Sequence, residues 1–588
     1  MKKRHLLLGI TLLMTCSLSA CQYLMPFING DGQGDYSYIS PTESSSEQQS
    51  SESSSSTSSD HSSSSTSSSV SSSTSSIASS IATSSSTSSS LSSSSSSSTP
   101  DVPTITAKKA SYTYMDYVQN NSNPLSSTPC VGSANLLVIP VWFKDSTSYI
   151  TTGNKENVRS DIEKSYFGTN SETGWRSVKT FYEEESHGEL TLTGKVSSWY
   201  ECNSNMSYYG NDNSTVDKTR NLVKSATTWY FSNNPSDSRT NYDKDGDGYL
   251  DGVMLIYAAP DNGNSSVGSY SNLWAYCYWV FEESLNSTTN PGPNAFFWAS
   301  YDFMYGSSTA LSRSGKSFNG GDTNHCALDA HTYIHEMGHM FGLEDYYDYS
   351  KQYKPGGGFS MQDYNVGAHD AYSAYALGWA KAYIPTESVT IKLKPFTDSG
   401  ELILLSPSFN SYNSPFDEYI LLEYYTPLGL NQFDATYRYG GNMSQYPKGP
   451  SERGIRLWHI DARLAYPTSA GRYSLTTTPK NRNGVTHAMS NTYDNGSSDV
   501  QGYLSPLGSS YYNYNIMQLI RNNTSATYKP TDSLETASLF RDGSEFTMSK
   551  YKSQFVKSGK LNSNVDLGFS FKVSNTTFDD ITITITKL

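Results

Sequence analysis

The stretch His335-Glu336-Met337-Gly338-His339-Met340-Phe341-Gly342-Leu343-Glu344-Asp345 restricts the fold more than any other part of the 588-residue chain. Residues four apart lie on one face of an α-helix, so the spacing predicts a helix that points His335 and His339 at one ion. Glu336 then sits beside them on the same turn. Two imidazoles suit zinc, whose catalytic sites take three protein ligands and keep one position open. Gly342, one turn on, suits the left-handed residue that ends a helix. The chain reversal after it offers Asp345 as the third ligand, with Glu344, Asp348 and a glutamate from a later helix as alternatives. His331 shares the ligand face but lies one turn, about 5–6 Å, further away, which leaves it a supporting or structural role.

The extended spacing resembles the zinc signature of the metzincins and their relatives, with Asp in place of a third His. Together with Gly342-Leu-Glu-Asp-Tyr-Tyr-Asp348 it resembles the immune inhibitor A family of secreted bacterial metallopeptidases, peptidase family M6. The resemblance covers roughly residues 130–465. It implies a zincin-like catalytic domain in which His335, His339 and Asp345 hold zinc and Glu336 is the general base. Gly356-Gly-Gly-Phe-Ser-Met361-Gln-Asp-Tyr364 falls where metzincin-like proteases place the Met-turn. Met361 would then floor the metal site and Tyr364 would hydrogen-bond the oxyanion; a glycine-rich loop with a core Met and Tyr is the plainer reading. His369 lines the cleft or serves structure. His187 reads as a solvated residue at a helix end, and His459 with Asp461 as a hydrogen-bonded pair at a domain junction.

Asp243-Lys-Asp245-Gly-Asp247-Gly-Tyr249-Leu-Asp251 has carboxylates at positions 1, 3, 5 and 9 of an EF-hand-like loop, with Gly at 6. Tyr249 would add its backbone carbonyl. Met254 stands where the bidentate Glu belongs, and an apolar strand, Gly252 to Ala258, follows in place of a helix. This predicts a solitary calcium loop tethered to a core strand, against the alternative of an acidic turn with no ion. A similar turn recurs in the family that the chain resembles.

Lys2, Lys3 and Arg4 precede an apolar run from Leu6 to Leu13, and Leu18-Ser-Ala-Cys21 follows. That pattern predicts a lipoprotein signal peptide over 1–20, cut before a diacylated Cys21. The remaining expected divisions are a Ser-rich disordered stalk over 21–102, a metallopeptidase domain over 103–384 and a β-rich region over 385–588. In the stalk, Ser44 to Ser98 is almost pure Ser and Thr and buries nothing that would offset the entropy of ordering. Short apolar runs such as Val389–Leu393, Glu401–Leu405, Tyr419–Glu423 and Ile581–Ile585 predict a β-sandwich. The fold class expected is therefore α+β. Cys130, Cys202, Cys277 and Cys326 either form two disulfides or stay as buried thiols.

A net charge of −14 argues against nucleic acid as a partner. The expectation is a monomeric zinc endopeptidase on the outer face of a bacterial membrane. It would be anchored through Cys21 and cleave extracellular proteins or glycoproteins. The competing class is a surface adhesin or glycan-binding lipoprotein on the same scaffold. An intact Glu336 weighs against it, because a binding module needs no general base.

Overall fold

The computed structural model describes residues 105–114, 116, 128–212, 216–261, 270, 272–306, 325–349, 352–364, 366–439, 446–467, 473–478, 486–487, 489–491 and 513–588. The expected signal peptide, Cys21 and the Ser-rich tract lie outside them. The fold is α+β. Among the described residues no helix is long and apolar enough to cross a membrane.

The apolar run Leu136-Leu-Val-Ile-Pro-Val-Trp142 forms most of the long strand Gly132–Trp142 and is buried on both faces. This strand is the spine of a mainly parallel sheet. Leu190–Val196 and Val253–Tyr257 flank it, Ala295–Ser300 follows, and Tyr276–Trp279 closes one edge antiparallel to Ala295–Ser300. Helices Lys155–Phe167 and Val178–Glu185 pack near the Leu190–Val196 edge, while helix His331–Met340 lies against Ala295–Ser300 and Tyr276–Trp279. The His335–His339 motif is thus carried on a helix seated at the antiparallel edge. His187 departs from expectation. It follows its helix with a φ of 54° and is half-buried against Phe396 and Gly400, not solvated.

Two further sheets stack on one another. Lys108–Lys109, Lys381–Tyr383, Glu401–Leu405, Glu418–Tyr425, Gly454–Asp461 and Met517–Ile520 form a six-stranded sheet in that order. A four-stranded sheet of Glu545–Phe546, Phe569–Ser574, Ile581–Lys587 and Val389–Leu393 covers one face. The side chains alternate between two cores. Ile403, Leu405, Ile420, Leu422, Leu457 and Ile520 point into the sandwich. Leu402, Leu404, Tyr419, Leu421, Trp458 and Leu519 point into the same core as Leu136, Ile334 and Met361. Because both faces are covered, Glu401–Leu405 and Glu418–Tyr425 are buried along their whole length. Val389–Leu393 alternates buried and exposed, as a sheet with one wet face does.

Among the described residues Cys130, Cys202, Cys277 and Cys326 form no disulfide with one another, and the first three are buried. The disulfide alternative is therefore not adopted. His459 and Asp461 do not pair with each other as expected. His459 Nε2 lies 2.9 Å from Glu418 Oε1, and Asp461 takes two hydrogen bonds from Arg463, each of 2.7 Å. They are successive inward residues on one strand, so each meets the partner that its own position faces.

Candidate active site

The motif helix is set from both ends. At its start Asp329 Oδ1 accepts the His331 N–H at 2.8 Å, and a carboxylate there also complements the helix dipole. At its end Gly342 adopts a φ of 99°. Gly342 N–H donates to His339 O at 2.9 Å and Leu343 N–H to Gly338 O at 3.1 Å, the paired bonds of a Schellman C-cap. A Cβ on Gly342 would stand 2.9 Å from the Tyr114 ring, so both backbone and space require glycine. The apolar face of Tyr333, Ile334, Met337 and Met340 is buried, and the Tyr182 hydroxyl donates to Ile334 O at 2.6 Å.

Opposite that face the structure brings His335, His339 and Asp345 together. Asp345 Oδ1 is 3.1 Å from His335 Nε2 and 3.4 Å from His339 Nε2. Its other oxygen accepts the Tyr349 hydroxyl at 3.1 Å. The two rings stand nearly perpendicular, with centroids 4.9 Å apart. Each ring is turned by its far nitrogen. His335 Nδ1–H donates to Met361 O and His339 Nδ1–H to Leu343 O, both at 2.8 Å. A neutral imidazole that donates from Nδ1 presents a bare lone pair at Nε2. Two such lone pairs and a carboxylate oxygen then face one another, which repels unless a cation sits among them. Ligand atoms with bonds of about 2.0–2.1 Å around a tetrahedral zinc are about 3.3 Å apart, close to the spacings seen. The donor set therefore fits zinc.

The cluster draws positive charge, whether of a metal or of a proton. For His339, burial alone would lower the pKa, but the Asp345 charge and hydrogen bond outweigh it and push it up to about 10. For Asp345, burial is outweighed by the two histidines, and its carboxyl is held well below the usual range. Glu336, His335 and His339 offer donor atoms within 4.8 Å of one another. Glu336 is buried, and its Oε2 has no hydrogen-bond partner. Burial raises its pKa, while the histidines and the Cys277 backbone N–H restrain the rise.

Of the alternative third ligands, Asp348 turns away, with Oδ2 accepting the N–H groups of Gln352 and Tyr353 at 3.2 and 3.1 Å. His331 is buried with its ring 4.6 Å from that of Tyr439 and 6.4 Å from that of His335, outside the cluster. The Met361 side chain is fully buried in the core, while its carbonyl orients His335. Tyr364 is stacked on Tyr347 at 4.9 Å.

Residues 141–366 match the family model for the immune inhibitor A peptidase M6 catalytic domain. That stretch is thus similar to an M6 catalytic domain. The chain is also 24% identical over 209 residues to the pre-pro-metalloprotease PrtV of two strains of Vibrio cholerae serotype O1. That alignment takes in 32% of this chain and 20% of PrtV, so the match spans about a fifth of the relatives' length.

Around the cluster several contacts have no counterpart in the motif. The Gln362 amide lies 3.4 Å from His339 Nδ1 and 3.3 Å from His369 Nε2. The His369 backbone N–H donates to Glu185 Oε1 at 3.1 Å. His369 is buried, and burial lowers its pKa to about 3, so it stays neutral. It lies beside Gln362, buried, and not on an open wall. The ligands of the expected calcium loop divide. Asp243, Asp245 and Asp247 gather within 4.8 Å, with Gly246 and Gly248 at positive φ. Asp251 instead accepts the backbone N–H groups of Lys244 and Asn135, at 2.7 and 2.6 Å. It ties the loop to the central strand. Tyr249 forms an isolated bridge with Gly292.

Proposed function

We propose that this chain is a zinc-dependent endopeptidase, with His335, His339 and Asp345 as ligands and Glu336 as general base. The observation that carries the reading is the convergence of two Nε2 atoms on Asp345 Oδ1, with the unpartnered Glu336 Oε2 beside them. When bound, zinc supplies Lewis acidity to the attacking water and the scissile carbonyl. Glu336 takes the proton released by the attacking water and returns it to the leaving amine; its raised pKa keeps it basic yet able to give the proton back. Tyr364 donates to the oxyanion. The edge strand Tyr276–Trp279 beside the helix suits an extended peptide that adds to the sheet.

The enzyme reaches its substrates, extracellular proteins or glycoproteins, as a monomer on a lipid anchor at Cys21. That part of the proposal rests on the Lys2 to Cys21 pattern. Asp243, Asp245 and Asp247, with the Tyr249 carbonyl, hold a calcium ion, and Asp251 braces the loop.

Glu336→Ala tests the central claim. It should retain zinc and lose about 10²–10⁴-fold in peptide cleavage. A variant that cleaves peptides at the wild-type rate, or a wild-type protein that binds no zinc, refutes the reading. Stoichiometric zinc without cleavage of any protein would favour the adhesin.

A further inference from the structure

Strands Glu418–Tyr425 and Gly454–Asp461 of the C-terminal sheet are joined by a long connection, and that connection lies along the segment that carries Met361 and Tyr364. The two run in opposite directions. Asn431 Oδ1 accepts the Ala368 N–H at 3.4 Å. Asp434 Oδ2 accepts the N–H groups of Val366 and Gly367, each at 3.2 Å. Both of these side chains are buried. Further on, the Tyr446 ring meets the Tyr364 ring edge-on, with centroids 5.8 Å apart and planes at 85°. Pro447 then abuts Gly358, where an added Cβ would stand 2.8 Å from Pro447 Cγ.

The same connection is pinned to the start of the motif helix. The Tyr439 ring lies 4.6 Å from that of His331, and its hydroxyl donates to Asp329 Oδ2 at 2.7 Å. Tyr446 packs on Tyr439 at 4.8 Å, so the ring that meets Tyr364 is itself anchored. Tyr364 also stacks on Tyr347 at 4.9 Å, and Tyr347 adjoins Tyr349, whose hydroxyl donates to Asp345. One ring from the Asp345 loop and one from the C-terminal sheet therefore hold Tyr364, while Asp434 holds the backbone just after it. A tyrosine ring is set by two side-chain torsions, and two ring contacts at different angles fix both. A hydrogen-bond donor stabilises an oxyanion only when it is aimed in advance. We propose that Tyr446 is a positioning residue that aims the Tyr364 phenol at the oxyanion, so that the C-terminal sheet completes the catalytic centre through this connection. The proposal rests on the reading of Tyr364 as oxyanion donor and names what holds it in place.

The test uses the full chain and a quenched fluorogenic peptide, with kcat, KM and bound zinc measured for each variant. Tyr364→Phe should lower kcat about 10²–10³-fold, as loss of one oxyanion donor does. Tyr446→Ala should lower kcat by up to about 10²-fold, the cost of a misplaced group, with KM and bound zinc unchanged. Tyr446→Leu, which keeps bulk without the ring, takes its place should the alanine variant fail to fold. Tyr446→Phe, which keeps the ring, should restore the lost kcat. In the Tyr364→Phe background Tyr446→Ala should cost little more, because both act through one hydroxyl. A Tyr364→Phe protein with wild-type kcat removes the oxyanion reading, and the proposal falls with it. A slow Tyr364→Phe beside a Tyr446→Ala or Tyr446→Leu protein of wild-type kcat overturns the proposal alone. So does a Tyr446→Ala loss that is as large in the Tyr364→Phe background as in the wild type.

Discussion

Gly338→Ala is a substitution that helix propensity favours and this structure opposes. Gly338 lies in the interior of the motif helix, where alanine gains about 1 kcal/mol over glycine. A Cβ there would stand 2.4 Å from Gln362 Oε1 and 2.8 Å from its Cδ. Gln362 is fully buried, with its amide held between His339 and His369, so it has no solvent to move into. Overpacking of this kind costs about 1–3 kcal/mol, which leaves a net loss of up to about 2 kcal/mol. Displacing the amide, 3.4 Å from His339 Nδ1, also shifts that ring against its Leu343 carbonyl partner, and zinc affinity should fall. Thermal melting, zinc competition against a chelator and peptide turnover read the three effects. Gln362→Ala in the same chain should recover part of the melting temperature, because the two residues are in contact and do not add independently. A Gly338→Ala protein about 1 kcal/mol more stable, with wild-type zinc affinity and turnover, would refute the reasoning.

Two other substitutions separate roles. Asp345→Asn should lose zinc and activity together, whereas Asp348→Asn should keep both, as read by zinc content after dialysis. Asp434 is buried, which raises its pKa to about 7, although the N–H groups of Val366 and Gly367 restrain the rise. The folded state therefore holds a proton there that the unfolded chain releases near its ordinary value, and stability falls as pH rises from about 4 to 7, by up to about 4 kcal/mol. Asp434→Asn should flatten that part of the stability curve in denaturant titrations; an unchanged slope would contradict this assignment.

The site was legible where its chemistry is local in sequence. His335, Glu336, His339, Gly342 and Asp345 lie within one helix and its cap, so helical period and glycine conformation place them. The gathering of Asp243, Asp245 and Asp247 is local in the same way. What the spacing does not carry is contact across the chain. Gln362, Glu185 and the Cys277 N–H come from separate elements, and nothing in their own neighbourhoods marks them. Gln362 carried one signal, since it follows Met361 directly in the segment that passes beneath the metal site. Glu401–Leu405 reads as a strand, but its composition does not say which element covers the second face. His459 and Asp461 stand two apart on a strand and so share a face, yet His459 meets Glu418 from the neighbouring strand and Asp461 meets Arg463 two residues on.

The second cover on that sheet decides how the chain can be divided. Leu402, Leu404, Tyr419, Leu421, Trp458 and Leu519 close the core that also holds the motif helix. Glu423 accepts the Trp458 indole N–H at 2.8 Å and the Ala371 N–H at 3.3 Å, and it pairs with Arg456. Ala371 opens the helix that follows His369, so a buried ion pair from the C-terminal sheet holds the chain next to the Gln362 network. Tyr439 adds a 2.7 Å hydrogen bond to Asp329, whose other carboxylate oxygen accepts the His331 N–H at the start of the motif helix. A fragment ending at residue 384 would uncover all of this. Each large apolar side chain returned to water costs about 1.5–3 kcal/mol, and five of them match a net stability of about 5–15 kcal/mol. Residues 103–384 alone should therefore fail to unfold cooperatively and fail to retain zinc, whereas 103–588 should do both. A soluble 103–384 fragment with a sharp melting transition and stoichiometric zinc would show that the sheet decorates the catalytic domain and does not complete it.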